Sequence, residues 1–308
     1  MTTSPAILIV GSMAFDDLEL PTGNAKDVVG GSATYSSFAA SSFAPVRVVA
    51  VVGDDFPEET LAAMRGRGVD VDGVERAAGK TFRWAGRYDQ DLIHRTTLDT
   101  QLNVFASFAP KLPDTYRDTP FVLLGNIHPA LQLDVLEQIR APQFVLADTM
   151  NFWISGEPRT VSAMLRRIDT LVVNDEEARQ LSGIYNIRRA AKDILTRGPR
   201  RLIIKRGEHG ALLFDEDGVF AAPGFPLEDV VDPTGAGDSF AGGLLGYIAS
   251  QPSITPLTLR RGMLYATATA SFCVEAVGTG RIAAVTREDI TRRVDDIRAL
   301  YEFGAGTM

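Results

Sequence analysis

The chain is poor in the residues that most often announce chemistry. It has one cysteine and three histidines in 308 residues. An internal disulfide is therefore excluded, and no Cys/His cluster has the spacing of metal ligands. Cys273 sits between Phe272 and Val274 and reads as a buried structural thiol, which suits a reducing compartment. No uninterrupted apolar run reaches membrane-spanning length, and no basic stretch followed by a long apolar one opens the sequence. The expected location is the cytoplasm. Blocks of like charge are missing and the formal net charge is −8, which disfavours nucleic acid or an anionic membrane as the main partner. Internal repeats and low-complexity linkers are missing too. No Gly-x-Gly-x-x-Gly follows the first apolar run, Ala6 to Val10, which argues against a dinucleotide-dependent oxidoreductase. The stretch from Gly73 through Gly79, Lys80 and Thr81 imitates a P-loop. It has five residues between its glycines where the motif needs four, and a strand-like run follows where a helix is required.

What is present is an ordinary globular composition, 45% apolar and 23% charged, in a chain long enough for one substantial core. Apolar runs at Ala6–Val10, Val46–Val52, Phe121–Leu124, Phe144–Ala147, Leu171–Val173, Arg201–Lys205 and Ala211–Phe214 read as core strands. They alternate with segments of helical character, among them 32–43, 56–67, 258–277 and an amphipathic 287–301. That alternation predicts a three-layer α/β fold with a mainly parallel sheet. Lys80 to Thr100 differs. Thr81 to Tyr88 alternates, Asp89-Gln90-Asp91 turns, and Leu92 to Leu98 returns, which predicts a β-hairpin outside the main layer.

The stretch around which the chain is organised is Asp232-Pro-Thr-Gly-Ala-Gly-Asp-Ser-Phe240. Apolar residues at Phe240, Leu244, Tyr247 and Ile248 follow it at helical spacing, so it marks a helix entry. The first amides of a helix lack intrahelical partners and favour an anion. Gly235, Ala236 and Gly237 leave the backbone open to close approach. Asp238 at the same place reads either as a helix cap or as a base that takes a proton from an attacking hydroxyl.

The nine-residue string resembles the C-terminal signature of the ribokinase-like (PfkB) family of carbohydrate and nucleoside kinases. The resemblance covers nearly the whole chain. It implies a single domain over residues 1–308, with a small β lid from about 13–30 and 80–104. It implies that Asp238 is the catalytic base and that the amides of Gly235, Ala236 and Gly237 form an anion hole. Gly30-Gly31-Ser32-Ala33-Thr34-Tyr35 resembles the family's N-terminal signature. With Asp16 after the first strand, it implies a substrate site made by Asp16, Gly30, Gly31, Tyr35, Asn103 and Asn126. Tyr35 stands where ribokinases proper carry asparagine, which argues against plain ribose. Asn174-x-x-Glu177 resembles the family's Asn-x-x-Glu motif and implies Mg²⁺ held through water, a mode that suits this ion. Lys205, Gly207, Gly210, Thr234 and Gly278 are implied in nucleotide binding, and Asp232 with Thr234 in holding a monovalent cation such as K⁺.

The expectation is an ATP- and Mg²⁺-dependent kinase acting on a hydroxyl of a small sugar or polyol. A nucleoside kinase is the alternative, with Tyr35, Phe82 and Trp84 available to stack on a base or to pack the lid. A silent binding protein on the same fold would show a damaged Asp238 or glycine loop, and both are intact. A homodimer through an exposed lid edge is also expected.

Overall fold

The computed structural model describes residues 4–302. Nine strands form one sheet: β1 (Ile7–Val10), β4 (Val46–Val52), β5 (Val69–Arg76), β8 (Phe121–Leu124), β9 (Phe144–Asp148), β10 (Thr170–Asn174), β11 (Arg201–Lys205), β12 (Ala211–Asp215) and β13 (Gly218–Ala222). Their order is β13-β12-β11-β10-β9-β8-β1-β4-β5. Only the pairings that involve β12 are antiparallel. The others are parallel and bury both faces, which explains why these strands read as unbroken apolar runs rather than alternating ones.

Alternate residues divide the core in two. Ile7 and Ile9 join one cluster and Leu8 and Val10 the other, as the two-residue period of a strand requires. The first face is covered by α1 (Ser32–Ser41), α2 (Glu58–Gly66), α8 (Ala236–Ala249), α9 (Pro256–Cys273) and α10 (Gly280–Ala284). The second is covered chiefly by α3 (Pro129–Gln138), α5 (Pro158–Leu165), α6 (Asp175–Ser182) and α7 (Ile187–Leu195). α4 (Asn151–Gly156) follows β9, and α11 (Arg287–Tyr301) packs on the outside of α9. β5 and β13 were not foreseen. They are the two edges of the sheet: β5 alternates apolar and charged residues, and β13 is short and mostly exposed.

A second sheet stands apart with the order β3-β2-β6-β7, built from β2 (Ala14–Leu20), β3 (Gly23–Gly30), β6 (Phe82–Tyr88) and β7 (Arg95–Gln101). Two antiparallel hairpins from distant parts of the chain join through a parallel seam between β2 and β6. Leu18, Leu20 and Tyr88 make its small core, with Trp84 and Leu92 beside them. The returning strand begins at Arg95 rather than Leu92, because Asp91 caps the turn by accepting the amides of Ile93 and His94.

α8 is buried from Ser239 to Ala249. It lies between α1 and α9 only because Gly242, Gly243 and Gly246 lack side chains. A Cβ on Gly242 would meet the Ser36 backbone, one on Gly243 the Thr269 side chain, and one on Gly246 the Phe43 ring and the Ala40 backbone. This packing fixes where α8 begins. Gly242→Ala is expected to destabilise the fold by about 1–3 kcal/mol through overpacking, despite alanine's better helix propensity. Gly66→Ala, where a Cβ meets open space, is the control and should be neutral or stabilising. Urea denaturation of both variants decides it: equal midpoints would refute the packing argument.

Candidate active site

The site forms where α8 starts. Before it, the amides of Val231 and Asp232 both donate to the carbonyl of Val274, at 2.8 and 3.3 Å. The fully buried Asp232 carboxylate then accepts the amide of Thr234 at 2.9 Å and that of Gly278 at 3.2 Å. Gly235 takes a left-handed conformation, φ 76°, which reverses the chain into the helix. Ser36 Oγ donates to the carbonyl of Asp238 at 3.0 Å and holds the first turn against α1. Among the described residues, the amides of Gly235, Gly237 and Asp238 have no protein acceptor, whereas that of Ala236 closes a turn onto the carbonyl of Pro233 at 3.2 Å. Of the three amides expected to meet an anion, those of Gly235 and Gly237 are open, and that of Asp238 is open beside them.

Lys205, at the end of β11, brings its ammonium against Gly237, where a Cβ would stand 2.7 Å from Nζ. Nζ also lies 3.4 Å from Oδ2 of Asp148 at the end of β9. Asp148 Oδ1 accepts the Thr149 amide at 2.8 Å, and Gln132 Nε2 bridges the carbonyls of Gly125 and Asp148. Asn174 and Glu177 form a reciprocal capping box at the start of α6: Asn174 Oδ1 accepts the Glu177 amide and Glu177 Oε2 accepts the Asn174 amide. Burial, then the Asp148 charge, pushes the Glu177 carboxyl up to about 7. The same two causes push Asp238 up to about 7. Burial alone would lower the Lys205 pKa, but Asp148, Glu177 and Asp238 together outweigh it and hold the ammonium above its ordinary value.

Across from Asp238 stands Asp16 on β2. It is buried, and its carboxylate lies over Gly30, where no Cβ could fit. It accepts no hydrogen bond from any described residue. Burial, then Asp232 and Asp238, pushes it up to about 8. Gly31, φ 94°, begins α1 against the backbone of Ser12 to Ala14. The amides of Ser12 and Ser32 each donate to the other's Oγ at 3.1 Å and pin α1 to the end of β1. Asn126 follows β8 and is held by Trp153, whose Nε1 donates to Oδ1 at 3.1 Å, and by Met150 Sδ at 3.1 Å.

Two expected substrate contacts find other work. Tyr35 is 1% exposed, and its ring lies directly under Gly235 and supports that loop. Asn103 is exposed, with φ 49°, and its amide donates to the carbonyl of Thr81 at 2.9 Å, anchoring the foot of the lid. The proposed stacking aromatics are likewise committed: Phe82 stacks on Phe105 at 5.3 Å, and Trp84 packs in the lid core.

On the nucleotide side, Gly207 and Gly210 shape the short turn between β11 and β12, and Gly210, φ 79°, lies against Ala222, Pro223 and Gly224. Gly278 touches Val28 of the lid. The donor set fits a phosphate chain with a divalent ion: free amides at a helix start, one ammonium, and the carboxylates of Asp148, Glu177 and Asp238 in excess of it. No three His, Cys, Asp or Glu side chains among the described residues converge on one direct coordination sphere, so such an ion would be held largely through water. The oxygens expected to hold a monovalent cation are engaged otherwise. Asp232 accepts two amides, the Thr234 hydroxyl donates to Tyr88 Oη at 3.1 Å, and the Thr234 carbonyl accepts from Cys273 Sγ at 3.4 Å. These bonds give Asp232 and Thr234 a structural role in holding the loop.

Sequence reasoning assigned no role to Asp148, Tyr88 or Arg95. The available signal for Asp148 was an acid ending a fully apolar strand, at the carboxyl edge where open α/β sheets bind ligands. Nothing local marked Tyr88 or Arg95, because their place depends on how the lid lies over the core.

Residues 6–286 match the sequence model of the pfkB family carbohydrate kinases. A cytidine kinase from Thermococcus kodakarensis is 29% identical over 253 residues, which is 80% of this chain and 90% of its own length. A 2-dehydro-3-deoxygluconokinase from Thermoproteus tenax is 26% identical over 258 residues, covering 70% of this chain and 71% of that one. Among solved structures, the nucleoside kinase of Burkholderia thailandensis in complex with ADP-inosine superposes with a TM-score of 0.79 over 98% of each chain at 20% identity. The Arabidopsis thaliana ribokinase complexed with ribose and ATP gives 0.74 over 95% of this chain and 99% of its own, also at 20% identity. Likeness at that identity shows the fold they share. Among the described residues, no helix is long and apolar enough to cross a membrane.

Asp16, Glu177 and Asp238 hold protons more tightly in the folded chain than in the unfolded one. The stability this contributes is present below the ordinary carboxylate pKa of about 4 and is lost as pH rises through about 7 to 8. The ligand-free protein should therefore melt at a lower temperature at about pH 8 than at about pH 6, at constant ionic strength. Differential scanning calorimetry measures this, and a melting temperature that rises across that interval contradicts the cluster's electrostatics.

Proposed function

Because the chain belongs to the pfkB family of carbohydrate kinases, we propose that it transfers the γ-phosphoryl group of ATP to a hydroxyl of a small sugar or polyol. One observation carries the reading. Asp16 and Asp238 are carboxylates from different layers that accept no hydrogen bond from described residues, yet Asp16 lies within the field of Asp238. Carboxylates that receive no donor from the protein are poised to receive one from a ligand. Asp16 orients the acceptor through its hydroxyls. Asp238 takes the proton of the attacking hydroxyl. A bond forms between that oxygen and Pγ while the bond from Pγ to the β,γ-bridging oxygen breaks, and ADP leaves. The amides of Gly235, Gly237 and Asp238 receive the equatorial oxygens, and Lys205 lies beside them. Glu177 and Asp148 would hold Mg²⁺ through water, and the ion would neutralise charge on the phosphate chain. The protein's contribution is positioning and electrostatics.

A nucleoside acceptor is the second reading. It draws on the relation to a cytidine kinase and on an aromatic ledge beside Asn126, where His128 meets Trp153 at 4.8 Å and Phe152 is 65% exposed. A coupled assay of ADP release over sugars, polyols, inositols and nucleosides separates the two. Asp238→Asn is expected to keep the fold and ATP binding while turnover falls about 10²- to 10⁴-fold. Near-normal turnover would remove Asp238 from the role of base.

The lid also supports association with a second copy of the chain. β7 is an edge strand with every residue exposed, Leu98 among them. Its unpaired backbone groups suit strand-to-strand pairing. Sedimentation velocity at micromolar concentration should show a dimer, and a single monomeric species counts against it.

A further inference from the structure

Asn126 is held by two partners of unlike character. Trp153 Nε1 donates to its Oδ1 at 3.1 Å, and its Nδ2 donates to Met150 Sδ at 3.1 Å. The first bond settles which way the amide faces. An indole nitrogen can only donate, so the atom before it must be the oxygen. A thioether sulfur is a weak acceptor, and it takes one of the two Nδ2 hydrogens. The other hydrogen meets no acceptor among the described residues. Trp153 is itself held: its ring meets those of His128 and Phe152 edge-on, each at 4.8 Å, and packs against the second core cluster. Gln132, 1% exposed, ties the backbone in place, since its Nε2 donates at 2.9 Å to the carbonyls of Gly125 and Asp148. The Gly125 amide donates to the Val10 carbonyl at 2.8 Å, and a Cβ on Gly125 would stand 2.8 Å from Ser32 Oγ at the start of α1. Asp16 follows β1 and Asn126 follows β8, its neighbour in the sheet. Both thus stand at the carboxyl edge, where open α/β sheets bind ligands.

We propose that Trp153 is a positioning residue that locks Asn126 as a hydrogen-bond donor, and that the pair selects acceptors carrying a proton-free lone pair, as on a carbonyl, carboxylate or ring atom, beside the hydroxyls that Asp16 receives. The inference rests on the phosphotransfer reading above. An unrestrained asparagine serves either polarity, because turning its amide exchanges oxygen for nitrogen. With Trp153 in place, that turn would set the indole N–H against an amide N–H and leave a half-buried donor unpaired, which is costly. Asp16 as a carboxylate only accepts. Two groups of opposite polarity therefore read two kinds of atom on one molecule. A hydroxyl can meet either of them. A carbonyl, carboxylate or ring atom can meet only Asn126, so such a group fixes the orientation of the molecule that carries it. Trp153 acts through Asn126 and touches no reacting atom.

The test measures kcat and KM by ADP release over a panel of sugars, sugar acids, polyols and nucleosides that includes ribose, 2-dehydro-3-deoxygluconate, cytidine, sorbitol and myo-inositol. Sorbitol and myo-inositol, whose oxygens are all hydroxyls, should be poorer acceptors than the best of the others. Asn126→Asp keeps the Trp153 bond but puts an oxygen where the donor was. With the best acceptor, its kcat/KM should fall about 10²-fold at pH 8. Its ratio to wild type should recover about tenfold by pH 6, as the new carboxyl takes up a proton and donates in the amide's place. Trp153→Phe frees the amide to turn, and should raise the acceptor KM about fivefold while kcat and the KM for MgATP stay within about twofold. An Asn126→Asp loss equal at pH 6 and pH 8, an unchanged acceptor KM in Trp153→Phe, or an all-hydroxyl compound as the best acceptor overturns the proposal and leaves the phosphotransfer reading standing. Thermal melting shows whether Trp153→Phe folds, and if it does not, Asn126→Asp decides alone. If wild type turns over no member of the panel, the phosphotransfer reading fails and this one with it.

Discussion

The buried carboxylate of Asp232 is the joint on which the site turns. It accepts the amides of Thr234 and Gly278 and so ties the loop before α8 to the turn after α9. Each of those amides would otherwise be buried unpaired, at about 1–3 kcal/mol apiece. With that joint made, Gly235 reverses the chain over the Tyr35 ring, and the free amides of the helix start face outward at a fixed height. The glycines of α8 and the small residues of α1 complete the support. The helix start is held from three sides by contacts that leave its amides uncovered.

Around this helix start the protein gathers more negative charge than it neutralises. Asp16, Asp148, Glu177, Asp232 and Asp238 meet one close ammonium, Lys205, and one lid guanidinium, Arg95. Burial of charge is costly unless it is compensated. The ligand-free site meets that cost partly by proton uptake. A phosphate chain with a divalent cation, and an acceptor whose hydroxyls donate, would meet it by contact instead.

Much of this was legible in the chain. The apolar runs identify the parallel strands because burial on both faces leaves no room for polar residues. The helix entry at Asp232–Phe240 was visible from its glycines and from the helical spacing after it. The lid hairpin was visible in its alternation. A sequence does not say which face of an element another element will cover, so Tyr35, Phe82 and Trp84 stayed open between stacking on a base and packing the lid. The local hydrogen bonds of Asn103 and Ala236, onto Thr81 and Pro233, leave no mark in the sequence. Asp148 and Arg95 entered the site only through the lateral order of strands and the height of the lid, which are long-range facts.

The parallel seam between β2 and β6 has a consequence for the order of folding. Ala14 pairs with Phe82 and Glu19 with Arg87, so the two hairpins meet across a span that contains α1, β4, α2 and β5. Contacts so distant along the chain repay their loop-closure entropy only after the intervening segment has folded. The lid is thus a late structure whose halves are delivered by a core already in place. Its amides belong among the earliest to exchange with solvent, and its opening needs no disruption of the nine-stranded sheet.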